Sequence, residues 1–291
     1  MKIINFEEQY LDASKKLLKL SYRQETSERF LGEGRTVLGF IDDKLIGLAG
    51  LKINPLHDSI VVEYICVDPE HRREGYATKL HLKLLERFPL NPLERTLDIS
   101  CYGGEVAEES FILSLGFIKT LDCHLCTFSI SDVDLKKSKQ NIISLEKFYL
   151  TNSKSEVRSF YINRYSKEHI EFMPVTNDET VWDDYYSDGD ISGFGAVLLE
   201  DNQLRGCSFM HENIFEDKTI VCINGYASGD TIEKEAQNLI ELYSYQITKL
   251  KSAGYQKIYI EIDSTEKVSD YLLGWVPLES KQVYMRYQQG F

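Results

Sequence analysis

The stretch Ser59–Phe88, SIVVEYICVDPEHRREGYATKLHLKLLERF, contains the features that decide the fold of this chain. Its first part, Ser59–Val67, is rich in β-branched residues and predicts a buried strand that ends at Asp68-Pro69. Apolar residues then recur at helical spacing, which predicts a helix over Gly75–Phe88, with Ala77, Leu80, Leu84 and Phe88 on its apolar side. The sequence therefore predicts a strand, a polar loop and an amphipathic helix.

The loop has the composition of an anion-binding site. A helix that begins at Gly75 presents unpaired backbone N–H groups and the positive end of its dipole. Glycine has no Cβ, so an anion can come close to the main chain. Arg72 and Arg73 add positive charge beside it. This chemistry suits a pyrophosphate; the alternative is a glycine-capped helix with two solvated arginines.

A strand followed by Arg72-x-x-Gly75-x-Ala77 resembles the acetyl-CoA signature of the Gcn5-related N-acetyltransferase (GNAT) family, Arg/Gln-x-x-Gly-x-Gly/Ala at the start of a helix. The resemblance implies that main-chain groups at the end of the strand pair with the pantetheine arm of acetyl-CoA. It also implies that the loop amides bind the pyrophosphate. The residues implied in cofactor binding are Ile65, Cys66, Val67, Arg72, Arg73, Glu74, Gly75, Tyr76, Ala77, Thr78 and, on the following helix, Phe111.

The remaining elements of the first half follow the order of this family. We predict a first helix, a hairpin around Asp42-Asp43, a further strand, a helix that ends at Gly116, and one or two final strands. The predicted ranges are Asn5–Arg23, Thr36–Leu51, Arg95–Tyr102, Gly103-Gly104 through Phe111 to Gly116, and Phe117–Ile130.

Two landmarks of the first half recur in the second half. Ile41–Gly47 (IDDKLIG) is echoed by Glu200–Gly206 (EDNQLRG) at an offset of 206 − 47 = 159, and Leu115-Gly116-Phe117 by Leu273-Gly274-Trp275 at 274 − 116 = 158. Such repetition predicts a second copy of one domain. Between these landmarks we predict a strand over Thr219–Tyr226, a helix over Ile232–Leu250 and a strand over Lys257–Asp263.

The predicted fold class is therefore α/β (α+β mixed sheet), with two tandem GNAT-like domains, each a central twisted mixed sheet flanked by helices. The predicted boundaries are 1–131 for the N-terminal domain, 132–155 for a linker that can carry a short helix, and 156–291 for the C-terminal domain. An offset of 159 or 160 places Thr231 or Ile232 at the position of Arg72, and Lys234 or Glu235 at that of Gly75. We therefore expect that the second domain is degenerate and does not bind the cofactor. Its role is either to form a wall of the substrate site or to stabilise the first domain.

Two residues are candidates for proton transfer. Glu63 is the only acid inside the central strand and shares a face with Val61, Ile65 and Val67, so it is the candidate base; a structural hydrogen bond is the alternative. The family often has a tyrosine as general acid at the position occupied here by Ile112. Tyr102, at the end of its strand, is a substitute candidate, with simple packing as its alternative.

Composition limits the classes of partner. The formal net charge of −13 argues against nucleic acid binding, and no apolar run approaches the ~20 residues of a membrane span. The N-terminus lacks the apolar core of a signal peptide, so a cytoplasmic protein is expected. Cys123 and Cys126 have a C-x-x-C spacing, but in a strand their side chains point to opposite faces, and no metal is predicted.

The predicted function is an acetyl-CoA-dependent N-acetyltransferase that moves an acetyl group to a primary amine of a small molecule or peptide, by direct attack in a ternary complex. The alternative is a non-catalytic acetyl-CoA- or CoA-binding regulatory protein, and a longer acyl-CoA is a third possibility. A monomer is expected, with a dimer left open.

Overall fold

A computed structural model of the chain describes residues 1–21, 31, 35–54, 59–88, 96–102, 106–135, 141–169, 180, 182, 194–215, 218–277 and 281–290. The chain divides into two compact units. The first contains residues 1–100, 106–119 and 287–291, and the second contains residues 101–105 and 120–286. The predicted Gly103-Gly104 turn lies outside the described residues.

The first unit is built on a mixed sheet. Its strands are β1 (Lys2–Asn5), β2 (Thr36–Ile41), β3 (Lys44–Asn54), β4 (Ser59–Val67) and β5 (Thr96–Tyr102, in this unit as far as Ser100), arranged in sequence order. Neighbouring strands are antiparallel, except that β4 and β5 run parallel. The predicted mixed αβ class is confirmed.

In the described part of this unit, three helices accompany the sheet: α1 (Leu11–Ser21), α2 (Tyr76–Arg87) and α3 (Val106–Ser114). The prediction that the first helix begins at Asn5 is wrong. Lys2–Asn5 instead pairs with β2 as a short strand, because Ile3 and Ile4 suit an extended edge better than a helix. The helix begins only at Leu11, after a 3-10 turn over Glu8–Tyr10.

The two faces of β4 pack against different helices. Tyr64 and Cys66 are almost fully buried in a core that includes Leu17 and Leu18 of α1. On the other face, a Cβ placed on Gly47 would lie 2.7 Å from a methyl carbon of Leu80 in α2 and 3.7 Å from Val67. Helix α2 can therefore approach the sheet closely only because a glycine lies beneath it.

The second unit contains a larger set of strands: β6 (Ile118–Ser129, in this unit from Thr120), β7 (Asn141–Ser144), β8 (Ala196–Glu200), β9 (Gln203–Phe215), β10 (Lys218–Ala227), β11 (Lys257–Asp263) and β12 (Lys281–Gly290, in this unit as far as Arg286). The order is β6-β11-β10-β9-β8-β7. β10 and β11 are parallel, and the other neighbours in this order are antiparallel. Thr120 Oγ1 donates a hydrogen bond to the carbonyl of Arg286 at 3.0 Å, which ties β6 to β12.

Its helices are α4 (Leu145–Tyr149), α5 (Lys154–Glu168), α6 (Ile232–Ser252) and α7 (Ser269–Trp275). The core between α6 and the sheet is formed by Ile223, Leu239, Leu242, Ile247, Ile258 and Ile260. The predicted helix over Ile232–Leu250 and the predicted strands on either side of it are confirmed. The predicted connector contains the expected short helix, α4, together with β7, which pairs with β8. Among the described residues, no helix combines the length and apolar character needed to cross a membrane.

The repeated sequence landmarks correspond to repeated local structure. Asp42 and Asp43 adopt positive φ angles of 46° and 61°, and Asp201 and Asn202 adopt 50° and 61°. The first hairpin has a register shift between Gly39 and Phe40, and the second has one between Leu198 and Leu199, again at 198 − 39 = 159. The same two-residue turn and the same bulge therefore occur in both units.

Candidate active site

Strands β4 and β5 of the first unit diverge at their carboxyl ends. Their register runs only from Ser59↔Thr96 to Val62↔Ile99, whereas β4 continues to pair with β3 as far as Gly47↔Val67. The amide of Asp68 donates to the carbonyl of Ile46 at 2.8 Å. Backbone groups alternate along a strand, so Val67 directs its amide to the opposite side, beyond the end of the β4–β5 register. Openings of this kind, at the carboxyl ends of parallel strands, are common ligand sites.

Glu63 is the first residue after the last β4–β5 pair and is half-buried. It is also the extra residue of a β-bulge against β3, between the pairs Gly50↔Tyr64 and Leu51↔Val62. Strand alternation is interrupted there, so the predicted shared face of Glu63 with Ile65 and Val67 stays a prediction. Cys66 belongs to the opposite face, where it is 1% exposed in the core beneath α1, so its thiol is a packing group. Tyr102 is the last residue of β5, and its side chain lies outside the described structure.

The eight residues between β4 and α2, residues 68–75, form a loop that is anchored at its first half. Asp68 Oδ1 accepts the amide of Glu70 at 3.0 Å, and Asp68 Oδ2 lies 3.2 Å from Lys44 Nζ. Arg72 Nε donates to the carbonyl of Val67 at 3.2 Å. The sequence does not indicate this role of Lys44, which follows the hairpin turn and lies 24 residues before Asp68. Only the contact in the folded structure identifies it. The hydrogen bond from the Glu70 amide lowers the pKa of the Asp68 carboxyl, and the nearby Lys44 ammonium lowers it further.

The second half of the loop turns through two positive φ angles, 67° at Arg73 and 76° at Gly75. Gly75 is the N-cap of α2, and no side chain caps the helix there. Within the described part of the chain, no protein acceptor receives the amides of residues 73–78. A Cβ built on Gly75 would have no atom within 4 Å. The start of α2 therefore offers several unpaired N–H groups with open space in front of them.

The charges around this helix start are also unusual. The first turns of α1, α3, α4, α5, α6 and α7 each contain an acid, whereas that of α2 contains none. Arg72 and Arg73 are exposed just before it. Cations at the positive end of a helix dipole are unfavourable by themselves, so the arrangement favours a bound anion.

Glu74, the one acid beside Gly75, is turned toward its neighbours. The proximity of its carboxylate raises the pKa of the Tyr76 hydroxyl, and its Oε1 lies 3.9 Å from His71 Nδ1. The predicted cofactor residues of the loop, 72–78, are thus adjacent at the start of α2. Phe111 is half-buried on α3.

The second unit has a shorter connection at the same place. Only four residues, 228–231, separate β10 from α6. Thr231 caps the helix by accepting the amide of Lys234 at 3.2 Å, and a Cβ on Gly229 would lie 2.5 Å from the amide nitrogen of Glu235. Glu235 itself pairs with Arg164 of α5. Side chains therefore occupy the surroundings of this helix start, and the carboxylates repel anions.

The strands of the second unit diverge as in the first, but side chains bridge them. The β10–β11 register ends at Ile223↔Ile260, at offsets of 223 − 62 = 161 and 260 − 99 = 161 from the corresponding pair in the first unit. Beyond it, Tyr226 lies 3.3 Å from His169 Nε2, and Thr265, after β11, lies 3.0 Å from His169 Nδ1. Burial lowers the pKa of His169 and raises that of Glu266 beside it well above its usual range.

The C-x-x-C spacing on β6 places two buried thiols on opposite faces. Cys123 pairs in register with Asp263, and Cys126 with Ile260 in the core beneath α6. Burial, reinforced by Asp263 and Glu261, raises the pKa of the Cys123 thiol. In the described ranges no cluster of three His, Cys, Asp or Glu residues is arranged to bind a metal.

Comparison with known families gives a match over part of the chain. Residues 4–117 match the model of the Acetyltransferase (GNAT) family. This segment begins within β1, contains β2 to β5, the loop and α2, and supports the family resemblance for that part of the chain. No curated protein is significantly similar to the sequence.

Solved structures extend the similarity of the fold to the whole chain. A GCN5-related N-acetyltransferase from Sphaerobacter thermophilus superimposes with a TM-score of 0.64 at 14% identity, over 99% of this chain and 95% of that one. A GNAT-family acetyltransferase from Colwellia psychrerythraea gives 0.56 at 9% identity, over 99% and 100%. A glucosamine N-acetyltransferase region of a fungal multi-domain β-N-acetylglucosaminidase gives 0.67 at 10% identity, over 99% of this chain and 38% of that protein.

Proposed function

We propose that the protein is an acetyl-CoA-dependent N-acetyltransferase with one cofactor site, located in the first unit. The observation that carries this proposal is the start of α2, where unpaired amides face open space at a glycine with φ 76°. This feature lies inside the segment that matches the GNAT family model, whose members use acetyl-CoA. The cations around it match the charge of a pyrophosphate.

The residues present fit acetyl-CoA. The amides of the loop and of the first turn of α2 would hold the pyrophosphate, with Arg72 and Arg73 beside it. The edge of β4 near Ile65 and Val67 would pair with the amides of the pantetheine arm, because the register with β5 has ended there. Acetyl-CoA supplies the thioester whose carbonyl carbon is attacked.

The reaction requires an acceptor, a base and an oxyanion partner. The neutral nitrogen of a primary amine attacks the thioester carbonyl in a ternary complex, and the carbon–sulfur bond then breaks. Glu63, half-buried at the opening, accepts the proton from the amine, directly or through water. The amide of Val67 donates to the developing oxyanion. Tyr102, at the end of β5, is the candidate that returns a proton to the thiolate.

The second half of the chain, 156–291, is proposed as a degenerate copy of the domain, joined through 132–155 to the N-terminal domain, 1–131. The repeated hairpin and the repeated strand divergence support common descent. The short, capped connection before α6 and the His169 bridge support the loss of its cofactor site.

A second candidate function is a CoA-binding regulatory protein without turnover. Ile112 favours it, because the residue at the position of the family's tyrosine is 3% exposed and cannot donate a proton. Glu63 favours the enzyme. Turnover on a panel of primary amines distinguishes the two functions.

The proposed cofactor site is tested by calorimetric titration of acetyl-CoA into the wild type and into Gly75→Glu. We expect one molecule per chain and loss of binding by more than about a hundredfold in the variant, since a carboxylate would occupy the anion site. Gly254→Glu is the matched control, because Gly254 also has positive φ (93°) and an open Cβ position but lies after α6. Two molecules per chain would contradict the degenerate second copy, and no binding would refute the function.

A further inference from the structure

CoA carries a third phosphate, on the 3′-oxygen of its ribose, which a pyrophosphate cradle alone does not recognise. How the protein binds that phosphate is a question that rests on the proposed cofactor site. Backbone amides at one helix start can surround the pyrophosphate. A separate phosphate monoester requires a cation of its own nearby.

Most cations in and after the loop are already engaged. Arg72 donates through Nε to the carbonyl of Val67, and Lys83 is paired with Glu86. Arg87 reaches Asn5 Oδ1 at 3.4 Å, at the far end of the helix. Lys79 is exposed and, like Arg73 in the loop, has no carboxylate within ion-pair distance among the described residues; unlike Arg73, it contacts an aromatic ring.

The position of the Lys79 ammonium is set by Tyr76. Its Nζ lies 5.3 Å from the centre of the ring of Tyr76, which is three residues closer to the start of the helix. Lys79 therefore brings a positive charge to the first turn, the end of the helix where a cation is least favourable unless an anion binds there.

We propose that Lys79, held over the Tyr76 ring, binds the 3′-phosphate of CoA and determines preference for CoA over 3′-dephospho-CoA. The amides at Gly75 bind the pyrophosphate in both ligands. Lys79 contributes only when the 3′-phosphate is present.

The test is calorimetric affinity for CoA and for 3′-dephospho-CoA, measured for the wild type, Lys79→Met and Lys79→Arg. Lys83→Met is the matched control, one turn further along α2. We expect the wild type to prefer CoA by about ten- to a hundredfold, the range of a charge-assisted hydrogen bond. Lys79→Met should reduce that ratio to about one to threefold by weakening CoA alone. Lys79→Arg should keep the preference, and Lys83→Met should leave it unchanged.

The other outcomes overturn the inference in distinguishable ways. A CoA preference that survives in Lys79→Met, or that is lost in Arg73→Gly instead, assigns the 3′-phosphate to another group. Equal weakening of both nucleotides in Lys79→Met shows a structural role. A wild type that binds dephospho-CoA as well as CoA leaves the proposed function intact and refutes this role of Lys79. A wild type that binds neither refutes both.

Discussion

Residues 68–75 and 228–231 form corresponding strand-to-helix connections in the two units, but they treat the unpaired amides of the following helix differently. Each leads from a strand, past the point where two parallel strands diverge, into a long helix. The first leaves its helix start uncapped and places two arginines beside it. The second is four residues shorter, caps the helix with Thr231 and puts Glu233 and Glu235 in the first turn.

The difference shows how an anion site is removed while a fold is kept. The sheet order, the hairpin turn and its bulge do not depend on the loop, so they are the same in both units. A side-chain cap satisfies the amides that a ligand would otherwise bind. The uncapped helix start, by contrast, is stabilised only when an anion is present.

The largest expected effect on activity comes from giving β4 of the first unit an uncharged amide at Glu63, as β10 of the second unit has at the corresponding position. The residue 161 positions after Glu63 is Asn224, an amide that cannot accept a proton at neutral pH. Glu63→Gln should lower kcat by about a thousandfold, because the amine loses its base, and leave the affinity for acetyl-CoA within about twofold. Steady-state kinetics and calorimetry on the same preparation measure both. Unchanged kcat would remove Glu63 from the mechanism.

The second prediction concerns Glu235, whose carboxylate lies in the first turn of α6. Glu235→Ala removes the partner of Arg164, whose side chain is 15% exposed, and leaves it with Glu168 at 3.7 Å. The free energy of unfolding should fall by about 2–3 kcal/mol, and acetyl-CoA stoichiometry should stay at one. Glu233→Ala, on the exposed side of the same turn, is the control and should change the free energy of unfolding by less. A second bound acetyl-CoA in Glu235→Ala would show that this carboxylate alone closes the site.

The third prediction separates stability from affinity at Arg73. This residue has φ 67°, which costs a non-glycine residue about 1 kcal/mol. Arg73→Gly should raise the free energy of unfolding by about 0.5–1 kcal/mol and weaken acetyl-CoA about tenfold, because the strain and the charge are removed together. Asn202→Gly, at φ 61° in the second hairpin, should stabilise without changing affinity. Parallel changes in both quantities at Arg73 would contradict this separation.

The smallest effects are in pH dependence. Burial lowers the pKa of His81 in α2; it also lowers that of His169, where Asp263 and Glu168 oppose it. A histidine whose pKa is lowered by folding stabilises fully above its unfolded value near 6.5, and the stability is lost as the pH falls below that value. In His81→Gln and in His169→Gln, the free energy of unfolding should therefore fall less between pH 7.5 and 5.5 than it does in the wild type. Denaturant unfolding at several pH values measures this difference, and an unchanged pH dependence in both variants would contradict the prediction.

Much of this structure could be predicted from local sequence, because it depends on local causes. Gly75 after two arginines predicts an uncapped helix start, and the Asp42-Asp43 turn predicts its hairpin. The missing acid in the first turn of α2 is visible too. The roles of Glu63 and of the loop residues in cofactor binding and catalysis stay predictions.

What the sequence could not predict depends on distant contacts or on chain length. The prediction used a fixed offset of 159 or 160 to find the residues of the second unit that correspond to Arg72 and Gly75. The connection before α6 is four residues shorter than the one before α2, so α6 begins earlier than this offset implies. Lys44 anchors Asp68 from another element, and His169 bridges two strands from the end of α5. The strand at Lys2–Asn5 was missed because four residues are too few to show a period of two.

Tyr287 gives the first unit a particular order of assembly. This residue is fully buried in the first unit, and its hydroxyl donates to Glu109 Oε1 at 2.8 Å across 178 positions of sequence. A ribosome that has made residues 1–119 has therefore not yet made every part of the unit that holds the proposed cofactor site. That unit can reach its final packing only after residues 287–290 have been synthesised, long after translation of the loop that carries its signature.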